Sequence, residues 1–138
     1  PASGTASYTL AGNTSPTDSV GAVGALVSAT FSADFTNQSV DSTLALNVGD
    51  RSWSATGTGN IGAQVGLPAH QFGGAYEVTG NNTTTGQPFT GGGRFDGFFS
   101  APGNPSTVGV PGGAGLTYSL QDFTDGTTVQ GSAIFRAP

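Results

Sequence analysis

"GGGRFDGFFSAPG", residues Gly91 to Gly103, is the stretch on which the reading of the fold turns. Gly93, Phe95, Gly97 and Phe99 fall at every second position, the period of an extended strand. Glycine leaves room for a neighbouring ring and lets the backbone bend, so a Phe-Gly alternation suits a tightly curved sheet. Phe95 and Phe99 are predicted to point inward, with Arg94, Asp96 and Phe98 on the opposite face. Phe98 turns inward only if a bulge resets the register before Ser100. Ala101-Pro102-Gly103 then ends the strand, because proline has no donor for the ladder.

The same period recurs on both sides of this stretch. Val27, Ala29, Phe31, Ala33 and Phe35 share one face against Ser28, Thr30, Ser32 and Asp34. After the turn Thr36-Asn37-Gln38-Ser39, Val40, Ser42, Leu44, Leu46 and Val48 alternate with Asp41, Thr43 and Asn47. Gly49-Asp50 is a two-residue hairpin connection leading to Arg51–Thr56, so three consecutive strands form a meander. Phe72–Val78, Pro88–Ser100, Gly115–Gln121 and Thr127–Arg136 read as further strands, with Asp125-Gly126 as the turn between the last two. With Ser3–Leu10 this makes about eight strands, a number at which an antiparallel sheet can close and lose its exposed edges. The expected fold is all-β: a small, soluble, antiparallel up-and-down barrel with Phe, Leu and Val packed inside, closed by pairing Ser3–Leu10 with Thr127–Arg136. Val27, Phe31, Phe35, Leu44, Leu46, Phe95, Phe99, Leu116, Tyr118, Leu120 and Phe135 supply the bulk of that interior.

Composition narrows the remaining choices. The 138 residues amount to one domain, and 24 glycines and 8 prolines scattered throughout leave no room for a stable helix. Charged residues are only 8%, so Ser, Thr, Asn and Gly must keep the outside wet. Three basic residues, Arg51, Arg94 and Arg136, stand far apart in a chain of net charge -5, whereas phosphate-backbone binding needs clustered cations. Nucleic acid is therefore not an expected partner. With no cysteine, disulfides, thiolate metal sites and cysteine nucleophiles are all excluded. No apolar run approaches the ~20 residues of a membrane-spanning helix, and only one face of each strand is apolar, unlike the lipid-facing band of an outer-membrane barrel. The chain opens at Pro1 with neither initiator Met nor apolar leader, as a trimmed export product would. Its low-charge, acidic composition suits the exterior of a bacterial cell.

Three segments carry a family likeness. "GGRFDGFFSAPG", "AGLTYSLQD" and "GTTVQGSAIF" resemble the C-terminal barrel of the transferrin-binding-protein-like surface lipoproteins. The opening Ser3–Leu10 is similar to that of the barrels that follow the FecR-type domain in large bacterial exported proteins. The resemblance runs from Gly4 to Phe135 and implies a barrel domain on the bacterial exterior, excised from a longer exported protein. The loop after Pro102 is longer than the family's connection and lacks its acidic residue, so transferrin, haemoglobin and haem binding are not implied for this chain.

No catalytic constellation is legible. His70 is the single histidine, and sequence spacing does not bring Glu77 to it as a partner. Asp34, Asp41, Glu77 and Asp96 take outward strand positions or lie near turns, the places of solvated carboxylates rather than a glycosidase pair. Asp122 and Asp125 lack the spacing of a calcium loop and read as turn residues bonding their own backbone. Asn13, Asn37, Asn81 and Asn82 open N-x-S/T tripeptides that Thr-rich loops produce by chance. No metal ligand set, cofactor site or catalytic residue is assigned.

Binding is the remaining chemistry. The loops Asn60–Gln71, Gly80–Pro88 and Gly103–Gly113 could acquire specificity on a rigid scaffold, which nominates His70, Gln71, Asn81, Asn82, Asn104, Val108 and Val110 as contacts. The expected role is a non-enzymatic binding or adhesion module, its partner an unidentified protein or surface. Two alternatives stand beside it: a structural subunit that self-associates, and a barrel holding an apolar ligand near Trp53, Phe95 and Tyr118. If Trp53 faces inward, Arg51 two residues before it belongs at the rim.

Overall fold

The computed structural model describes residues 4–62, 70–100 and 112–137. Within them the chain is entirely strand and turn: β1 (Thr5–Asn13), β2 (Thr17–Asp18), β3 (Ala25–Asp34), β4 (Ser39–Val48), β5 (Arg51–Ile61), β6 (Gln71–Asn82), β7 (Pro88–Ser100), β8 (Gly113–Asp122) and β9 (Thr128–Arg136). From β3 to β9 each strand pairs antiparallel with the next, as an alternating pattern with short turns dictates. The ribbon closes through β1, giving an eight-stranded barrel with the two-residue β2 as an extra piece. β1 divides its partners. Thr5–Tyr8 pair with β3 from Asp34 to Phe31, and Thr9–Asn13 cross over to pair with β9 from Arg136 to Ala133. Below that fork the excursion Thr14–Gly24 fills the gap with the fully buried Pro16, tied by Gly24 N–H to the Pro16 carbonyl at 2.8 Å.

The curvature has a visible cause in the inward-facing pairs. Across β6 and β7, Phe72 lies opposite Gly97, Gly74 opposite Phe95, Tyr76 opposite Gly93 and Gly80 opposite Phe89. Tyr118 on β8 likewise faces Gly131 on β9, and Tyr76 faces Gly57 on β5. A ring occupies the volume that each missing side chain leaves: a methyl on Gly74 would sit 2.5 Å from the Phe95 ring, and one on Gly57 2.7 Å from the Tyr76 ring. Filling a glycine's empty face with a cross-strand ring stabilises a strand that glycine alone would weaken.

The interior is layered by the same logic. Phe31 stacks against Phe72 at 4.8 Å and Phe135 at 5.4 Å, and Phe99 against Phe35 and Phe72 at 5.2 and 5.0 Å, at the end where β3 and β7 finish. Tyr76 and Phe95 occupy the middle at 4.7 Å. Trp53 meets Phe89 edge-on at 5.0 Å toward the other end, among Leu46, Val48 and Val78. Phe95 and Phe99 point inward and Phe98 outward, as the Phe-Gly period predicts.

One expected core residue is placed differently. Val27 is 60% exposed and Leu26 takes the inward position, because the register against β4 shifts between Leu26 and Ser28. The extra residue of this bulge turns Val27 outward and leaves the face from Ala29 onward as expected. Several strands also run further than the alternation indicated: β5 continues to Ile61 and β6 to Asn82, through glycines that pair as well as any residue when a ring covers them.

The ring-glycine pairing is testable at one position. Gly97→Ala would drive a methyl into the Phe72 ring and the Gly115 carbonyl, whereas a methyl on Gly12 meets nothing within 4 Å. Urea unfolding followed by Trp53 fluorescence should show Gly97→Ala destabilised by about 2–3 kcal/mol and Gly12→Ala changed by less than about 0.5 kcal/mol. Equal effects at the two sites would contradict the packing account.

Candidate functional site

The two ends of the barrel differ in kind. At one end lie the β3–β4 turn and the first and last described residues, with Gly4 N–H bonded to Thr36 Oγ1 at 2.8 Å and Ala137 N–H to the Gly112 carbonyl at 3.0 Å. The connections from β5 to β6 and from β7 to β8 leave from this same end. His70 is exposed there, its carbonyl accepting the Phe99 N–H at 2.8 Å, and Gln71 begins β6 beside it. Asn104, Val108 and Val110 lie outside the described residues. Asn81 and Asn82 close β6 at the opposite end, so the nominated contacts do not form one surface. Asn82 is a turn-former: its Oδ1 accepts the Thr84 and Thr85 amides at 2.9 and 3.0 Å, and its Nδ2 donates to Asp50 Oδ2 at 3.1 Å.

That opposite end is fastened by charge. Arg51 lies at the rim just beyond the inward Trp53, as expected from their spacing, and reaches across to the end of β8. Its Nε is 3.2 Å from Asp122 Oδ2, in a pair whose side chains are 14% and 3% exposed, and its Nη2 bonds Asp125 Oδ2. Asp122 and Asp125 also form the turn bonds their sequence indicates, accepting the Thr124 and Thr127 amides at 2.8 and 3.0 Å. The Thr127 amide and hydroxyl, with Arg51 beyond them, hold the Asp125 carboxyl below its usual range. Nothing in the sequence joins Arg51 to residues so far along the chain; only the closed sheet brings them together. This bridge is a structural clasp rather than a reactive group, because each of its oxygens already has a partner in the turn or the guanidinium.

The nominated cavity residues are all inward and tightly surrounded. Trp53, Phe95 and Tyr118 are each at most 3% exposed. Trp53 packs on Phe89, Phe95 covers Gly74, and the Tyr118 ring crosses Gly131. The polar atoms among them are few. Tyr76 OH and Ser42 Oγ bond at 2.7 Å in the buried middle, while Trp53 Nε1 and the Tyr118 hydroxyl have no protein partner. Burial pushes the Tyr8 and Tyr118 hydroxyls up to about 12 and raises Tyr76 as well, against the pull of its Ser42 bond.

The carboxylates weighed as catalytic pairs are spread over the outside. Asp41, Glu77 and Asp96 project outward from β4, β6 and β7, and Asp34 binds the Asn37 amide at 3.0 Å and its side chain at 2.7 Å, which holds its carboxyl low. His70, ahead of β6, is seven positions from Glu77 along an extended strand, so the two do not meet. Among the described residues no group of three or more His, Cys, Asp or Glu side chains could hold a metal ion. A polar groove runs along the outer wall, across β7, β8 and β9, which sequence alternation could not reveal because its far side is built by Thr14–Thr17. Comparison with protein-family models, curated proteins and solved structures returns no match for this chain.

The buried hydroxyls make a paired prediction. Tyr118→Phe keeps the ring over Gly131 and removes an unpartnered hydroxyl, so urea stability should hold or rise; Tyr76→Phe strands Ser42 Oγ and should cost about 1–3 kcal/mol. In both Tyr8 and Tyr118 the folded-state pKa lies above that of a free phenol, ~10, so the fold favours the neutral form. That contribution is complete below about pH 10 and disappears as pH rises toward 12. Thermal melts should therefore fall across this alkaline window, less steeply in Tyr118→Phe; a melting temperature that ignores pH there would contradict it.

Proposed function

We propose that this domain is a non-enzymatic binding or adhesion module on the outside of a bacterium, meeting its partner at the end of the barrel from which the β5–β6 and β7–β8 connections leave. The observation that carries the reading is the filled interior. Rings lie against glycines from one end of the barrel to the other, so recognition has to happen on the exterior. The clasped end is committed to short turns and an ion-paired rim, which leaves the other end free to vary without disturbing the core. The likeness of Gly4–Phe135 to surface-lipoprotein and FecR-type barrels supports a place at the bacterial surface.

A structural, self-associating role is the second reading. It is favoured by one outward cross-strand row in which Phe98, 54% exposed, and Ile134, 61% exposed, flank Gly115. An apolar ligand near Trp53 is the third, and it would require Phe89 to leave the indole edge it covers.

Bead retention separates these readings. Beads carrying the domain should adhere to epithelial cell layers or bacterial cells. Replacing 101–111 and 63–69 by short Gly-Ser turns should abolish retention, while replacing 83–87 should leave it intact. Equal retention by all three proteins would overturn the loop-end reading. Sedimentation that shifts with concentration, and no longer does so in Phe98→Ser, would move the assignment to the self-associating subunit.

A further inference from the structure

The outer wall carries a groove separate from the loop end. Arg94 on β7 pairs in register with Ser119 on β8, Ser119 with Gln130 on β9, and Gln130 with Thr17 on β2. Two residues along, Asp96 pairs with Thr117 and Thr117 with Ser132, which in turn bonds Thr14. All these side chains project from one face, so the two rows form a grid about 14 Å across four strand positions and about 7 Å between rows. Together with Ser15, Tyr118 and Gly131 they line a groove of about 570 Å³.

The groove is preorganised on its far side. Thr14 N–H donates to the Ser132 carbonyl at 3.0 Å, and Ser132 N–H to Thr14 Oγ1 at 2.9 Å. The buried Pro16 anchors the excursion from beneath. A rigid wall spares a ligand the entropy of ordering it.

Its floor and near side are chemically unspent. Arg51 is committed to its two aspartates, but Arg94, Ser119 and Gln130 have no side-chain partner among the described residues, and the Asp96 carboxylate accepts no bond there. One cation and one anion two positions apart, among neutral hydroxyls and an amide, suit neither a phosphate nor an apolar group. A phosphate would face Asp96 beside its single Arg, and an apolar ligand would cover these polar groups and leave them unpaired. A molecule dense in hydroxyls, each both donor and acceptor, meets every group in the grid. The geometry points to this groove as a carbohydrate-binding site, with Arg94 and Gln130 as its principal contacts and a glycan chain lying across β7–β9. The ring residue that borders the groove, Tyr118, is turned inward and only 3% exposed, so a sugar has no open face to stack on, and binding is weak for a single copy and gains from many copies on one surface.

Amide chemical-shift titrations with maltohexaose and with a galacturonate hexamer test this. Either oligosaccharide should shift the resonances of Arg94, Ser119, Gln130 and Thr14–Thr17 in the millimolar range. Arg94→Ala with Gln130→Ala should weaken binding about tenfold or more at an unchanged melting temperature. Preference for the galacturonate hexamer that disappears in Arg94→Ala alone would identify an acidic glycan, and equal binding a neutral one. The protein with 63–69 and 101–111 replaced should bind both as the parent does, so this site stands or falls independently of the loop-end reading. The assignment is overturned if neither hexamer moves these resonances, if the double variant binds unchanged, or if inorganic phosphate produces the same shifts.

Discussion

The structure depends on a steric complementarity between strands: where one contributes an inward ring, its neighbour contributes a glycine. A small barrel must curve sharply and still fill its centre, and these demands conflict when every inward position carries a large side chain. Phe72 against Gly97, Gly74 against Phe95 and Tyr118 against Gly131 resolve the conflict within the pairing itself. The ring supplies the buried apolar area and the glycine the room for it. Stability here rests on shape, in a chain without disulfides and with a single ion-paired cluster among its described residues.

That solution divides the molecule by task. The interior holds almost no polar chemistry beyond the Tyr76–Ser42 bond and two unpartnered donors, at Trp53 and Tyr118. Arg51 spans one end and fixes the turns about it, so that end reads as foundation. The opposite end releases the longer connections, and the wall between carries a polar groove whose side chains make few bonds with the protein itself.

Alternation made most of this architecture legible. The inward Phe95 and Phe99, the outward Phe98, the Gly49-Asp50 hairpin and the rim position of Arg51 all follow from a period of two and from the turn chemistry of glycine. The misplacement of Val27 has an equally plain cause: a bulge adds a residue that periodicity cannot count, and both Leu26 and Val27 are apolar. Glycine runs looked like strand ends because the rings that support them lie on other strands, as Phe89 does for Gly80. The Arg51–Asp122 bridge and the Thr14–Thr17 wall of the groove arise only when the sheet closes, so no local pattern announces them. The split allegiance of β1 belongs with these, since two half-length partnerships look in sequence like one ordinary strand.

Mechanics follows from that split. β6 holds each of its neighbours through eleven register pairs, while β1 is held by four to β3 and four to β9. Tension entering at Gly4 loads Thr5–Tyr8 before any other strand, and those few rungs give way in succession. The barrel therefore has a built-in weak link at β1: a sharp tug on Gly4 unbuckles that strand first, while the ring-filled sheet from β4 to β8 remains whole and able to rewind it.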